Sequence, residues 1–327
     1  MFVVIVGLLL AAAAAPATAW ASPATSYRIV DLGSLGGGYG GAEAVNDRGE
    51  VVGYSTTARG EQHAFLWSRG QMTDLGTLGG AYSYAADINN HGQVVGYSST
   101  ASGEGHPFLW ADGRMTDLGG LYCFAEAIND RGQVIGNCMG HPVLWSDGQM
   151  TDLTTQGLGP YSTARDINDA GQIVGGHLTA GNAFHAYRYH DGQVLDLGAL
   201  ASDYSEALAV NGRGQAAGRG GSAGGYMQAY YWSGRGIVAI GSFDGTYSEA
   251  RGLNNRGQVV GSSSTGGSVH GFVWQRGVLF DLGVLAAGGW SYSWATDVNA
   301  HGLIVGGSYA ADGQAHPVLW RPTNAKR

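Results

Sequence analysis

The sequence has little basic charge. It contains a single lysine, Lys326, and its 17 basic residues are outnumbered by 25 acidic ones, which gives a formal net charge of −8. A protein that binds nucleic acids uses clustered lysine and arginine residues to neutralise phosphates. Because no such cluster is present, we expect no nucleic-acid partner.

Cysteine, proline and charged residues are also scarce. The 327 residues include 2 cysteines, 7 prolines and 13% charged residues, against 58 glycines. The sequence has no Cys/His spacing of a metal site and no Gly-x-Ser-x-Gly nucleophile motif. Many glycines with few charges are typical of a weakly charged all-β chain with many tight turns. We expect neither a metal nor another cofactor.

An apolar run opens the chain. Residues 2–15 are apolar and are followed by Pro16 and small residues, a length that suits a signal peptide and is short for a membrane-spanning helix. We predict a signal peptide over residues 1–21, with cleavage at Ala19-Trp20-Ala21 or at Ala17-Thr18-Ala19, and an extracellular or periplasmic protein with no further membrane association. No basic residue precedes the run, which leaves open a different start or a retained anchor.

After residue 26 a unit of about forty residues occurs seven times. Each unit has an asparagine before a glycine-containing turn, a glycine seven residues later, and an aromatic residue that ends an apolar run. The asparagines are Asn46, Asn89, Asn129, Asn168, Asn211, Asn254 and Asn299. The glycines are Gly53, Gly96, Gly136, Gly175, Gly218, Gly261 and Gly306, and the aromatic residues are Trp67, Trp110, Trp145, Tyr189, Trp232, Trp274 and Trp320. A repeat of strands and turns at this period predicts a β-propeller or a β-solenoid.

The second unit illustrates how one repeat folds. We predict strand a at 85–88, a type I turn at 89–92, and strands b at 93–97, c at 106–110 and d at 114–118. The mature chain begins with an isolated strand d at 27–32 and ends with an a–b–c set that stops at Trp320. Joining these ends would remove two exposed sheet edges. We therefore predict an all-β, seven-bladed β-propeller of four-stranded antiparallel blades over residues 27–320, closed by the N-terminal strand, with a short tail at 321–327.

Strand c carries a His-Ala-Phe tripeptide at 63–65 and variants of it in the other six units. The variants are His106-Pro107-Phe108, His141-Pro142-Val143, His185-Ala186-Tyr187, Gln228-Ala229-Tyr230, His270-Gly271-Phe272 and His316-Pro317-Val318. An Asp-Leu-Gly motif begins at Asp31, Asp74, Asp117, Asp196 and Asp281. In these motifs nearly the whole mature chain resembles the extracellular HAF (His-Ala-Phe) repeat family. The resemblance implies an exported repeat protein and supplies no catalytic residues.

The a–b and c–d turns have uniform lengths and lie on one face of the predicted propeller, whereas the b–c and d–a loops on the other face vary. Unit 3 has short loops there, and unit 7 has an insertion at 287–290. Variable loops on a rigid scaffold usually carry binding sites. We predict a notch at unit 3 and a raised wall at unit 7.

Two tryptophans of the mature chain lie outside the repeat pattern, and both flank Tyr292. An aromatic platform with polar neighbours suits stacking on a sugar or on an apolar peptide side chain. We predict a ligand site that comprises Trp290, Tyr292, Trp294, Asp297, Tyr84 and Phe124. The alternative is that Trp290 covers a loop and Trp294 fills a gap between blades. A tyrosine opens strand a in every unit, and we interpret this set as packing residues: Tyr39, Tyr82, Tyr122, Tyr161, Tyr204, Tyr247 and Tyr292.

Five carboxylates are expected near the propeller axis, with Arg165 and Arg251 as countercharges: Glu43, Asp87, Glu126, Asp166 and Asp297. Paired carboxylates can perform acid–base catalysis, but polar groups commonly line a propeller channel, and we interpret these as a solvated lining. Strand c lies two strands out from the channel, and neighbouring strands are about 4.8 Å apart. The strand-c histidines are therefore roughly 10 Å or more from one another, too far to share a zinc ion. We predict structural hydrogen bonds for them.

Cys123 and Cys138 lie on strands a and b of unit 3. Export permits a disulfide. A two-residue turn would pair them directly, whereas the type I turn that we prefer pairs Asn129 with Gln133 and places the cysteines on opposite faces. A second bulge at Gly136 would restore the register, so the sequence leaves the bond open.

These observations predict an exported, monomeric binding module rather than an enzyme, with a glycan or protein ligand on the variable-loop face. The alternatives are a carbohydrate-active hydrolase or lyase that uses carboxylates at the channel mouth, and a purely structural cell-surface protein. The carboxylates are scattered over several units, which favours binding over catalysis.

Overall fold

The computed structural model of the protein describes residues 25–120, 122–285 and 291–324. The predicted signal peptide and Trp290 lie outside these residues. The described part is a β-propeller in which antiparallel strands form six sheets, five with four strands and one with eight. A single parallel pair, Gln62 with Tyr82, joins the two halves of the eight-stranded sheet. We count these halves as separate blades, and seven blades is our interpretation of this arrangement.

The first four units each contain strands a, b, c and d in chain order. Unit 1 has β2 (Gly36–Val45), β3 (Val51–Thr57), β4 (Gln62–Ser68) and β5 (Gln71–Asp74), and unit 2 has β6 (Gly79–Ile88), β7 (Val94–Thr100), β8 (Gly105–Ala111) and β9 (Arg114–Asp117). Unit 3 has β10 (Cys123–Ile128), β11 (Val134–Cys138), β12 (His141–Ser146) and β13 (Gln149–Asp152), followed by the 3-10 helix η1 (Leu153–Gln156). Unit 4 has β14 (Ser162–Ile167), β15 (Ile173–Leu178), β16 (Phe184–His190) and β17 (Gln193–Gly198).

The remaining strands complete the ring. Unit 5 has β18 (Ser205–Val210), β19 (Ala216–Gly221), β20 (Met227–Trp232) and β21 (Ile237–Ala239), and unit 6 has β22 (Ser248–Leu253), β23 (Val259–Ser264), β24 (Val269–Gln275) and β25 (Val278–Asp281). Unit 7 takes strands a to c from β26 (Ser293–Val298), β27 (Ile304–Tyr309) and β28 (Ala315–Asn324), and its strand d is β1 (Thr25–Asp31). β1 pairs antiparallel with β28 and places Ile29 opposite Trp320. The predicted closure by the N-terminal strand is confirmed.

The repeated asparagines link all seven units in a circle. Each donates its side-chain Nδ2 to the backbone carbonyl oxygen of the corresponding asparagine in the next unit, at 2.9–3.2 Å. The last donor, Asn299, returns to the carbonyl of Asn46. Each side-chain oxygen also accepts the backbone N–H groups two and four residues further on, as at Asn254. Asparagine suits this position because its short side chain both donates and accepts.

The a–b hairpins have the predicted type I turn with a left-handed glycine. In unit 6, for example, Asn254 donates its backbone N–H to the carbonyl of Gln258, and Gly257 has φ +73. Strand a then shifts register by one residue, between Ala250 and Gly252 in this unit. The repeated strand-b glycine faces this bulge, where a Cβ atom at Gly261 would clash with the carbonyl oxygen of Glu249. The bulge therefore explains the glycine of each unit.

The His-Ala and His-Pro variants correlate with how neighbouring units are joined. At four junctions the residue after the strand-c histidine or glutamine donates its N–H to a serine in the next unit at 2.8–3.0 Å: Ala64 to Ser83, Ala186 to Ser205, Ala229 to Ser248 and Gly271 to Ser293. At the other three junctions this residue is a proline, which has no N–H. The facing residues there are Cys123, Ser162 and Gly40. At two of these three junctions the next unit therefore has no serine at this position, and at the third Ser162 donates to the carbonyl of Gly159 in its own unit.

The six strand-c histidines form structural hydrogen bonds, as predicted. The Nδ1 atom of each lies 2.7–3.2 Å from a carboxylate oxygen on the neighbouring strand d: His63 with Asp74, His106 with Asp117, His141 with Asp152, His185 with Asp196, His270 with Asp281 and His316 with Asp31. In the Asp-Leu-Gly motif the aspartate also accepts the N–H of the glycine, at 2.7–2.8 Å. Both sequence motifs therefore fasten strands c and d to each other.

Cys123 and Cys138 form a disulfide with a Cα–Cα distance of 4.0 Å. The turn pairs Asn129 with Gln133, as we preferred. A register shift between Ala125 and Ala127 then brings the two cysteines opposite each other. The compensating bulge thus lies on strand a, facing the predicted position at strand b. Units 2, 6 and 7 have paired serines at these two positions, and the second serine accepts an N–H from the d–a loop. In unit 3, where this loop is short, the disulfide replaces the pair.

The hydrophobic core lies between neighbouring units. Phe65 and Trp67 of unit 1, for example, belong to the same buried cluster as Val305 and Leu319 of unit 7. Burial of such side chains contributes about 1.5–3 kcal/mol each, and the ring arrangement repeats this contact at successive junctions. Among the residues that the structure describes, no helix is both long and apolar enough to cross a bilayer.

Candidate functional site

We call the side of the propeller that carries the b–c and d–a loops the loop face. At its channel mouth lies a cavity of about 530 Å³, which we call the mouth cavity. It is lined by residues of units 6, 7 and 1: Tyr39, Glu43, Tyr247, Glu249, Arg251, Ser262, Tyr292, Trp294, Thr296, Tyr309 and Ala315. The lining combines aromatic rings with carboxylate and guanidinium groups, as small-ligand sites do.

Unit 7 supplies the aromatic wall of the mouth cavity. The ring centroid of Tyr292 lies 5.8 Å from that of Trp294 and 5.9 Å from that of Tyr309. Gly307, on the adjoining strand, leaves the space that the Trp294 indole occupies, because a Cβ atom there would clash with the ring. Trp294 therefore packs on its own blade and also lines the cavity. Two predicted site residues, Tyr292 and Trp294, are thus brought together.

An arc of aromatic rings continues from the mouth cavity through units 1 and 2 to unit 3. Tyr39 lies 6.0 Å from Tyr54, which stacks at 5.5 Å on Tyr84. Tyr82 lies 6.1 Å from Tyr97, which stacks at 4.7 Å on Phe124. We call this set the aromatic track: Tyr309, Tyr292, Trp294, Tyr39, Tyr54, Tyr84, Tyr82, Tyr97 and Phe124. It includes the predicted site residues Tyr84 and Phe124, the latter 48% exposed.

The opposite side of the channel mouth is charged. Alternating acidic and basic side chains of units 3 to 6 form a chain of ion pairs with N–O distances of 2.6–3.3 Å, which we call the charged network: Glu126, Arg165, Glu206, Arg219, Glu249 and Arg251. Glu206 is only 2% exposed and Glu249 only 3%. Burial acts to raise the pKa of Glu206, but Arg165 and Arg219 outweigh it and lower the pKa. Such buried carboxylates are tolerated because they are paired.

Glu43 stands where the two sides meet in the mouth cavity. Burial raises the pKa of Glu43 to about 7, while Arg251 and a hydrogen bond from Tyr84 act in the opposite direction. Near neutral pH this carboxyl group is therefore partly protonated and can donate as well as accept a hydrogen bond.

All five predicted channel carboxylates line a second, deeper cavity of about 140 Å³. Three of them bridge neighbouring units. Each of these carboxylates accepts the backbone N–H of the next residue in the chain. Each also accepts a backbone N–H of the following unit at 2.7–2.9 Å: Asp87 from Ile128, Asp166 from Val210 and Asp297 from Val45. Burial raises the pKa of Asp87 to about 8, of Asp166 to about 7 and of Asp297 to about 6.

This bridging changes the expected role of Asp297. We predicted it both as a polar neighbour of the aromatic platform and as a channel carboxylate, and it lies with the channel carboxylates in the deeper cavity, where it holds backbone groups of units 7 and 1. The three aspartates are also more than the solvated lining that we expected, since both oxygens of each carboxylate are engaged by backbone N–H groups.

The interpretation of the seven strand-a tyrosines as packing residues is wrong for two of them. Tyr122 is 74% exposed and Tyr161 is 72% exposed. Both have a positive φ, 56 and 66, which turns the chain sharply just before strand a of units 3 and 4. Tyr39, Tyr82 and Tyr292 are partly exposed at the loop face and belong to the aromatic track.

The sequence analysis missed Tyr39, Tyr54, Tyr97 and Tyr309 as site residues and, of the charged network, missed Glu206, Arg219 and Glu249. A signal was present, because many of these residues occupy two repeat positions at which the units disagree. Five residues before the asparagine stand Gly41, Tyr84, Phe124, Thr163, Glu206, Glu249 and Trp294, and one residue after the strand-b glycine stand Tyr54, Tyr97, Asn137, Gly176, Arg219, Ser262 and Gly307.

Comparison with protein-family models gives no match, and comparison with curated proteins gives none either. Solved structures are similar in fold. An acylaminoacyl peptidase of Pyrococcus horikoshii matches with a TM-score of 0.57 and 12% identity over 87% of this chain and 52% of that one. A puromycin-hydrolyzing peptidase of Mycobacterium tuberculosis matches with a TM-score of 0.52 and 14% identity over 96% of this chain and 56% of that one.

A chain of a mitotic checkpoint complex matches with a TM-score of 0.52 and 12% identity over 97% of this chain and 98% of that one. The protein therefore spans about half the length of the two peptidases and nearly all of the third chain. At these identities the likeness shows a β-propeller fold and carries no information about activity.

Proposed function

We propose that this protein is an exported, monomeric β-propeller that binds a glycan in the mouth cavity. The observation that carries the proposal is the composition of that cavity, in which Tyr292, Trp294 and Tyr309 face Glu249 and Arg251. Aromatic faces stack on the apolar faces of sugar rings, and ionised groups make short, directional hydrogen bonds to hydroxyls.

A glycan fits this lining better than an apolar peptide side chain does. Arg251 and Glu249 bring charge directly to the aromatic wall, and an apolar group buried against the 47% exposed Arg251 side chain would displace its water without offering a hydrogen bond. Sugar hydroxyls can donate to the carboxylates and accept from the guanidinium group. A glycan therefore satisfies both the aromatic and the charged parts of the lining.

Export is also part of the proposal. The Cys123–Cys138 disulfide is typical of an oxidising compartment, which supports the predicted signal peptide. Membership of the HAF repeat family remains a proposal based on the His-Ala-Phe and Asp-Leu-Gly motifs.

A glycan array probed with the mature protein tests the proposal, followed by calorimetric titration with the glycans that bind. We expect Trp294→Ala and Tyr292→Ala to weaken binding at least about tenfold, the effect of losing a stacking aromatic residue. Tyr226→Ala is the matched control, because Tyr226 is 53% exposed but belongs to unit 5, away from the cavity. Tyr292→Ala serves if Trp294→Ala lowers the melting temperature, since Trp294 also packs on its blade.

Three outcomes would contradict the proposal. The array binds no glycan, or the two cavity variants bind as well as the wild type, or bound glycans are cleaved into shorter products. The last result would support the alternative of a carbohydrate-active hydrolase or lyase.

A further inference from the structure

We propose that the ligand is a neutral, linear oligosaccharide that extends from the mouth cavity along the aromatic track to unit 3. This inference rests on the proposed function and adds the length, charge and direction of the bound chain.

The aromatic track is continuous, which is the basis for an extended ligand. Tyr39 lines the mouth cavity with Tyr292 and Trp294 and also contacts Tyr54. Tyr54 stacks on Tyr84, which lies directly opposite Tyr97 in the sheet of unit 2. Tyr97 in turn contacts Tyr82 and stacks on Phe124. A ligand that occupied only the cavity would leave the rings of units 1 to 3 uncovered.

The phenol groups of the track suit hydroxyl-rich ligands. The phenols of Tyr54 and Tyr84 keep their proton at neutral pH, as tyrosines do, and can donate as well as accept. Tyr39 and Tyr82 are half-exposed at the rim of the track. A row of neutral donors and acceptors between aromatic faces is complementary to a chain of sugar rings rather than to a charged chain.

The charges around the channel also favour a neutral chain. Each arginine of the charged network is paired with at least one glutamate, and Glu43 adds a further carboxyl group. Four glutamates thus face three arginines, which leaves no excess of positive charge to attract a uronic acid or a sulfated or phosphorylated sugar. An acidic chain would meet unfavourable potential along this mouth.

The end of the track at unit 3 is open. The b–c connection of this unit is a tight turn at Met139 and Gly140, both with positive φ, and the d–a loop before it is the shortened one. Phe124 is therefore exposed beside a low rim. A linear chain can lie across Phe124 and leave the protein there, so the site does not limit the length of the ligand.

Titration of a chain-length series tests the inference. The probes are neutral gluco-, manno- and xylo-oligosaccharides from disaccharide to hexasaccharide, with an oligogalacturonide of matched length as the acidic comparison. We expect affinity to rise with chain length and the acidic chain to bind at least about tenfold more weakly. Phe124→Ala should weaken the hexasaccharide about tenfold and leave the disaccharide unchanged, whereas Trp294→Ala should weaken every length. Tyr226→Ala should change neither.

The outcomes separate this inference from the proposed function. Binding that is lost with Trp294→Ala but is independent of chain length and of Phe124 overturns the extended ligand and leaves the mouth cavity as a glycan site. A preference for the oligogalacturonide overturns the inference that the ligand is neutral. An absence of binding to any oligosaccharide, with binding to an extended peptide instead, overturns the proposed function and this inference together.

Discussion

The circle of asparagines makes a quantitative prediction about stability, and Asn254 is the position at which it is tested best. Its Nδ2 atom donates to the side chain of Gln258 at 2.7 Å and to the carbonyl oxygen of Asn299 at 2.9 Å, and its Oδ1 atom accepts from two backbone N–H groups at 3.0 and 3.1 Å. Asn254→Ala leaves the backbone N–H groups of Arg256 and Gln258 and the side-chain oxygen of Gln258 without these partners, whereas the Asn299 carbonyl keeps the N–H of Gly302. At about 1 kcal/mol or more each, unfolding should become easier by about 3 kcal/mol.

The loss converts into a measurable shift of the melting temperature. An entropy of unfolding of about 2.1 cal/mol/K per residue gives about 0.6 kcal/mol/K for about 300 residues, so about 3 kcal/mol lowers the melting temperature by about 5 °C. Chemical denaturation and scanning calorimetry measure both quantities. Asn255→Ala is the matched control, because Asn255 is the next residue of the same turn and is exposed. Equal losses for the two variants would refute the structural role of the circle.

Asn254→Asp tests the direction in which the stability of the variant changes with pH. The substitution keeps the accepting oxygen but places a second oxygen against the carbonyl of Asn299. Burial and this carbonyl raise the folded-state pKa of the new carboxyl group above its unfolded value. The stability of the variant is therefore highest below the ordinary pKa of aspartate and declines as the pH rises through the raised pKa. A deficit relative to the wild type that does not grow with pH would contradict this reasoning.

Three further predictions follow from the fold. Deletion of residues 25–32 removes β1 and exposes the edge of β28, so we expect aggregation in light scattering, and a soluble monomer would contradict the closure. Replacing Cys123 and Cys138 together with serine restores the serine pair of other units but loses the cross-link across 15 residues, which should lower the free energy of unfolding by about 3 kcal/mol, and two free thiols in the mass spectrum of the unreduced wild type would exclude the bond. Burial raises the pKa of Asp87 to about 8, so its stabilising contribution is complete below the ordinary aspartate pKa and is lost as the pH rises through about 8. Asp87→Asn should therefore flatten the decline in stability from about pH 5 to about pH 9, and equal slopes in wild type and variant would disprove the shift.

The propeller could be predicted from the sequence because its determinants are local and repeat. The asparagine turn and the strand-b glycine are each recognisable in one unit and recur in the other units. The incomplete strand sets at the two ends of the propeller complement each other, which predicted the closure. The disulfide could not be decided, because its register depends on a bulge near Glu126 whose mark in the sequence, Gly136, lies on the facing strand. Strand a of unit 3 reads as an ordinary strand with or without that extra residue.

The other half of the charged network, Glu206, Arg219 and Glu249, escaped prediction for a different reason. Arg219 lies on strand b of unit 5, yet it pairs with Glu206 of its own unit and with Glu249 of the next. Such pairs join residues that are 13 and 30 positions apart in the chain. Only the arrangement of neighbouring blades shows that these two positions meet at the channel mouth.

The fold separates positions that hold the units together from positions that can vary. The asparagines and the bridging aspartates contact backbone groups, so these contacts do not depend on particular neighbouring side chains. The two mouth-facing positions of each unit make few such contacts, and the units differ there.

The two sides of the mouth differ in how freely they can change. Removing Glu206 would take one of two carboxylate partners from both Arg165 and Arg219 and unbalance the network. Replacing the exposed Phe124 leaves no polar group without a partner. The charged side is therefore fixed as a unit, whereas the rings of the aromatic track can be exchanged one at a time. Changes of ligand specificity in this scaffold should accordingly arise on the aromatic side, where they can occur without loss of the fold.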